Sequence, residues 1–247
     1  MNDDEQSLLE FEDDLESPLD ELEADQTPPP DPEQMLALLS SPDSSQRMIA
    51  ARAFSQIQDE RAIPLLVALL KDVCPLVRVS VAYGLGRNPS PETVEPLIEQ
   101  YHQEWNGYVR KGLIWALGNC RDRRTLNPLT KALRTDIPAV RLWAASSLAQ
   151  MAKLEYEDMI AAIPPLIEGL RQDSIPAVRS NCAWSIGQLC RELPSNVVYA
   201  TAIDALLETL VEDQDMGVTE DTKTALLRVG DPRGLQMIEE LELEGLV

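Results

Sequence analysis

The chain has 247 residues, 44% of them hydrophobic and only 4% aromatic, so it can bury a sizeable core, but one built mainly from Leu, Ile, Val and Ala. Its formal net charge of -21 argues against nucleic acid or an anionic membrane surface as partner, since both call for a basic patch. No run approaches the roughly 20 apolar residues of a membrane span, and the start lacks the basic and apolar regions of a signal peptide; the expectation is a cytoplasmic protein with no membrane insertion.

Charge is uneven along the chain. Residues 1–31 hold 13 of the 42 acids and none of the 21 bases, and the run Gln26-Thr27-Pro28-Pro29-Pro30 follows the acids. This composition predicts a disordered acidic tail over residues 1–30. Leu8, Leu9, Phe11, Leu15, Leu19 and Leu22 punctuate it at spacings that suit a transient amphipathic helix, so the tail reads either as a solubilising segment or as an acidic-hydrophobic recognition peptide. Order is expected to begin at Asp31, which can cap a helix whose first position is Pro32, with Gln34 completing a capping-box-like spacing.

From there the sequence repeats. Pro64, Pro96, Pro128 and Pro165 form one column with Ala205 as its fifth member, and eight residues later stand Asp72, Glu104, Asp136, Asp173 and Asp213. Beyond them come Arg78, Arg110, Arg141, Arg179 and Thr219, each preceded by Val; a degenerate first unit carries Asp43 and Arg47. Each unit reads as a helix A opened by proline, an acidic turn, and a helix B opened by Val-Arg. Such hairpins cannot bury their apolar faces alone and must stack. The prediction over residues 31–247 is an all-α fold, an α-solenoid of about six helical hairpins. Loss of the arginine at Thr219 marks the last hairpin as a capping unit, followed by Asp231-Pro232 and a short acidic helix.

These motifs resemble the HEAT family. More narrowly, "AIPLLVALLKDVCPLVRVSVAYGLG" and "GYVRKGLIWALGNCRD" are similar to the HEAT-like repeats of the cyanobacterial phycobilin lyase group, which includes repeat proteins linked to iron–sulfur assembly. The resemblance spans residues 33 to about 235 and implies the fold firmly. For function it implies a scaffold, adaptor or assembly factor that grips a protein partner on its concave face. A phycobiliprotein, or a photosynthetic or iron–sulfur protein, is the partner it suggests. A phycobilin lyase-type subunit is the alternative, and an accessory role in iron–sulfur assembly the third reading.

Catalytic patterns are sparse. His102 is the single histidine, which leaves a histidine-ligated metal site or a Ser-His-Asp arrangement without enough members. Cys74, Cys120, Cys182 and Cys190 are too far apart for a CxxC pair and read as reduced thiols. Gly84-Leu85-Gly86 lacks the third glycine and the preceding strand of a dinucleotide fingerprint, and reads as close helix packing near the end of helix B. The arginine column reads as an internal ladder to the acidic turns of neighbouring repeats rather than an anion track. No cofactor, metal or catalytic residue is expected.

One feature points outward. Counting along helix B from the arginine, positions -1, +3, +7 and +10 fall within about 80° of one another and are mostly apolar, so they mark the buried face. Position +5 lies opposite, and holds Tyr83, Trp115, Ser146 and Trp184; Trp143, at +2, projects toward the same side. The expectation is one concave protein-binding surface made by Tyr83, Trp115, Trp143 and Trp184, with Arg87 and Lys111 at its edge. The alternative is that these aromatics wedge between adjacent B helices.

Overall fold

A computed structural model describes residues 30–244; the expectations placed on the tail, residues 1–29, lie outside the described residues. Thirteen α-helices and two short 3-10 turns make up the described chain, which divides into two compact units at Cys120 and Arg121. The first unit holds α1 (Pro32–Leu38), α2 (Ser44–Ala53), α3 (Ala62–Leu69), α4 (Pro75–Arg87), α5 (Val94–Gln103) and α6 (Gly107–Asn119). The second holds α7 (Leu126–Thr135), α8 (Pro138–Leu148), α9 (Tyr156–Gln172), α10 (Pro176–Glu192), α11 (Val197–Glu212), α12 (Met216–Val229) and α13 (Pro232–Glu244).

Helix starts follow from local chemistry. Asp31 caps α1 by accepting the N–H of Glu33, and Asn106 caps α6 by accepting those of Tyr108 and Val109. Pro75, Pro138 and Pro176 occupy the first position of α4, α8 and α10, where a missing N–H costs nothing. The helix-A proline column holds at the third residue of α3, α5 and α7, but Pro164 and Pro165 lie inside α9, because that helix begins upstream at Tyr156. Gly230 ends α12 with φ 71°, a left-handed conformation that favours glycine.

In the first unit the hairpins are α1–α2, α3–α4 and α5–α6, with α2, α4 and α6 packed side by side as B helices. In the second they are α7–α8, α9–α10 and α11–α12, with α8, α10 and α12 side by side and α13 laid against α12. The core runs between each A layer and B layer: Leu66, Val77, Val81, Leu97, Leu113 and Ile114 in the first unit, Leu129, Leu166, Val178, Ile186, Leu206 and Leu226 in the second, all with no exposed surface.

The arginine column is the internal ladder expected of it. Arg47 pairs with Asp72 and Arg78 with Glu104 in the first unit, Arg141 with Asp173 and Arg179 with Asp213 in the second, each at 2.7 Å. Each arginine also donates to a carbonyl of its own turn, as Arg78 does to Asp72 O and Arg179 to Asp173 O. Each acid in turn accepts a backbone N–H two residues on, which fixes the turn that opens the next helix. A second suture in the first unit is buried Asn88, whose amide donates to Phe54 O and Gly84 O and whose oxygen accepts the Asp59 N–H.

Candidate functional site

The B-helix surface that carries the predicted contact residues differs between the units. In the first, α4 and α6 approach closely because each has a glycine facing the other's ring. A Cβ added to Gly86 would lie 2.2 Å from Cζ3 of Trp115, and one added to Gly112 would lie 3.7 Å from Cζ of Tyr83. The two rings meet at 5.4 Å between centroids, tilted by 59°. Trp115 is 0% exposed and Tyr83 4%. Burial pushes the Tyr83 hydroxyl up to about 12.

This corrects the expectation that Tyr83 and Trp115 are outward contact residues; they are wedges between B helices. The helical phase gave the direction of each side chain, but not how closely the next backbone comes. Of the remaining predicted residues of this unit, Arg87 is half-buried with its guanidinium 5.8 Å from the centre of the Trp115 ring, and Lys111 is half-buried on α6.

The B helices of the second unit are tied together differently. Ser185 donates to Ala145 O at 2.8 Å, and Asn181 donates to the Ser146 hydroxyl at 2.7 Å, so one stripe of α10 is tied to α8. Cys182 and Ile186 fill the core side. Trp184 therefore points away from the A helices, and it is half-buried. The +5 position of α8, Ser146, is itself buried, and Trp143 on the same helix is half-buried. The structure thus brings Tyr83, Trp115 and Arg87 together in the first unit, while Trp143 and Trp184 belong to the second.

Other chemistry is muted. Among the described residues no group of three or more His, Cys, Asp or Glu side chains could hold a metal ion. Burial raises the thiol of Cys182 and pushes that of Cys190 up to about 12, so neither is a ready thiolate. Two shallow grooves of the second unit are lined by Arg141 and Arg179, which are paired with Asp173 and Asp213. No helix among the described residues is long and apolar enough to cross a membrane.

Sequence reasoning passed over a second set of side chains. Val73, Leu76, Trp105 and Tyr108 stand exposed at the A–B turns of the first unit. The signal was present as an apolar residue directly after Asp72 and after Glu104, and as two aromatics bracketing the turn dipeptide Asn106-Gly107.

A profile described as HEAT repeats matches residues 32–112 and 94–163, and a second, described as HEAT repeat, matches residues 162–193. The chain belongs to the HEAT-repeat family. Among solved structures, this HEAT-repeat chain is similar to the complex of CpcE and CpcF of phycocyanin lyase from Nostoc sp. PCC7120, with 25% identity, a TM-score of 0.56, and 68% of this chain and 99% of that chain covered. A designed armadillo repeat protein in complex with the peptide (KR)4 matches at 21% identity and a TM-score of 0.60, over 81% of this chain and all of that one. Among curated proteins, deoxyhypusine hydroxylase-B of Oryza sativa subsp. japonica is 27% identical over 224 residues, covering 83% of this chain and 74% of the relative. The fold is an all-α HEAT-type solenoid of the kind these neighbours share.

Proposed function

We propose that this HEAT-repeat chain is a non-catalytic scaffold or assembly factor that holds a protein partner on the B-helix face turned away from the A helices. The observation that carries the reading is Trp184: a large aromatic directed off the core, half-buried, on a helix anchored to its neighbour by Asn181 and Ser185. A rigid, partly exposed tryptophan is the kind of residue that concentrates binding energy at protein interfaces. Trp143 is the further contact residue of the same unit; in the first unit, taken by itself, Arg87 and Lys111 are the contact residues and Tyr83 and Trp115 shape the face from within. The test is affinity capture from the native extract with the full chain and its Trp184→Ala and Trp143→Ala variants. Loss of at least tenfold of the captured partner, by variants that still fold and whose melting temperature falls less than that of Trp115→Ala, is the expected result. A partner retained equally by all three proteins removes the assignment.

A second reading rests on the similarity to the phycocyanin lyase complex, which extends over 99% of that chain. In that case the partner is a phycobiliprotein and the chain helps attach, isomerise or remove its bilin. Mixing the protein with phycocyanobilin distinguishes the two: a shifted, intensified absorption band favours the lyase-type subunit, and an unchanged spectrum removes it. The iron–sulfur assembly reading draws no such support, since the described cysteines do not gather.

A further inference from the structure

Charge in the first unit is sorted by layer. Its B helices α2, α4 and α6 carry Arg47, Arg52, Arg78, Arg87, Arg110 and Lys111 and not one Asp or Glu, whereas every described acid of the unit lies on an A helix or in a turn or loop. Arg47 and Arg78 enter the ladder, and Arg110 donates to the Trp105 carbonyl at 2.9 Å. The other three, counted from the column arginine of their own helices, stand at +5 (Arg52), +9 (Arg87) and +1 (Lys111). At 100° per residue these positions fall within about 80° of one another on the side opposite the buried face. Arg52 is exposed, and Arg87 and Lys111 are half-buried. Met48 and Val79, at +1, share that side half-buried, and Ile49, 53% exposed, borders it. The face therefore joins apolar side chains to positive charge, in a chain whose overall charge is negative.

The complementary composition belongs to the same chain and joins it beside this face. Residues 1–31 hold 13 acids and no base, with Leu8, Leu9, Phe11, Leu15, Leu19 and Leu22 among them. Their point of entry is tied to the ends of α2 and α4. Glu33 accepts from Arg61 at 2.7 Å, Arg61 donates to Asp59 at 2.7 Å, and the Asp59 N–H donates to Asn88, the residue after Arg87, at 3.0 Å. Asn88 in turn donates at 2.8 Å to Phe54 O, two residues beyond Arg52. The chain between Phe11 and Pro30 can extend roughly 60 Å, whereas α4 is only about 20 Å long. A tether of this kind gives a local concentration in the millimolar range, which an untethered acidic peptide must match. We infer that residues 8–22 dock on the first unit's B-helix face, acids against Arg52, Arg87 and Lys111 and apolar side chains against Met48, Ile49 and Val79. The contact is autoinhibitory, since it covers Arg87 and Lys111 in the absence of a partner; this rests on the reading of those two as contact residues.

The experiment uses the full chain with p-benzoylphenylalanine in place of Phe11, irradiated and mapped by mass spectrometry of its peptides. Crosslinks within one chain to α2, α4 or α6 are expected, at a yield that does not change with protein concentration. Arg52→Glu combined with Lys111→Glu should lower that yield at least fivefold. Asp13→Lys combined with Asp14→Lys, which leaves every described helix unaltered, should lower it as much. Crosslinks that fall elsewhere or nowhere overturn the inference, as does a yield that both reversals leave intact. A crosslinked dimer whose yield rises with concentration makes a second copy the occupant and also overturns it. The binding reading is scored separately, by capture with Trp184→Ala and Trp143→Ala. If the crosslink is absent while those variants lose the partner, only the docking of residues 8–22 fails. If the crosslink is present while they keep the partner, only the Trp184 assignment fails.

Discussion

Trp115 lies over Gly86: the space a Cβ would take on α4 is occupied by Cζ3 of a ring carried by α6, 2.2 Å from where that Cβ would stand. Since the ring has no exposed surface, it has nowhere to retreat without opening the seam. Gly86→Ala is therefore expected to destabilise the first unit, even though alanine is the better helix former by about 1 kcal/mol. The overpacking cost is about 1–3 kcal/mol. Combining Gly86→Ala with Trp115→Phe should recover part of the loss, so that a double-mutant cycle in urea yields a coupling of more than about 0.5 kcal/mol. Additive effects would mean that the two residues do not share the space.

The Arg78–Glu104 pair gives a second prediction. Its side chains are 8% and 1% exposed, and Glu104 also accepts from Gln100 and from the Asn106 N–H. Removing the arginine alone leaves a buried carboxylate short of its main donor, which costs about 3–5 kcal/mol. Arg78→Met should show a loss of that order in a denaturant melt. Lys71→Met, which breaks the exposed pair with Glu99, should change stability by no more than about 1 kcal/mol. Similar losses in both variants would show that burial of the ladder is not what matters.

The ladder was legible in the sequence because each of its members does a local job as well as a distant one. Asp173, for example, accepts the N–H of Ile175 two residues on and pairs with Arg141 across the hairpins, so acid and arginine recur in step with the turn. The B-helix aromatics were legible only in direction. Whether such a ring is covered depends on what the neighbouring helix brings against it, as Gly86 of α4 does for Trp115, and periodicity within one helix carries no information about that approach. Trp105 and Tyr108 were missed for the complementary reason: helical phase has no meaning at a turn, and exposure there is set by how the two hairpins are fastened through Arg78.

Acid should unfold the protein through the same ladder. Burial of Asp72, Glu104 and Asp173 works against their charge, but hydrogen bonds from Arg47, Arg78 and Arg141 and from backbone N–H groups outweigh it. At Asp213 the Arg179 hydrogen bond is the largest influence. All four carboxyls are held below their ordinary values, so the unfolded chain takes up protons first as pH falls. Their stabilisation is complete above the unfolded carboxylate range near pH 4–5 and disappears as pH drops through the lowered folded values. The melting temperature should be level from pH 7 to about 5 and then decline, with a shallower decline in Arg179→Gln. A variant that follows the parent curve would place the acid sensitivity elsewhere.

The tryptophans offer the sharpest ordering. Trp115 is fully buried between α4 and α6, Trp184 is half-buried on α10, and Trp105 is 76% exposed at a turn. Truncating a fully buried tryptophan removes both its transfer energy and the packing around the void, about 3–5 kcal/mol. Truncating an exposed one changes folding stability by no more than about 0.5 kcal/mol. The alanine variants should thus lose stability in the order Trp115, Trp184, Trp105, as read by urea melts. In proteins that retain one of these tryptophans at a time, with phenylalanine at the others, acrylamide should quench Trp105 fluorescence most and Trp115 least. Strong quenching of Trp115 in the folded state would mean that the seam over Gly86 opens, and the wedge assignment for Trp115 and Tyr83 would fall with it.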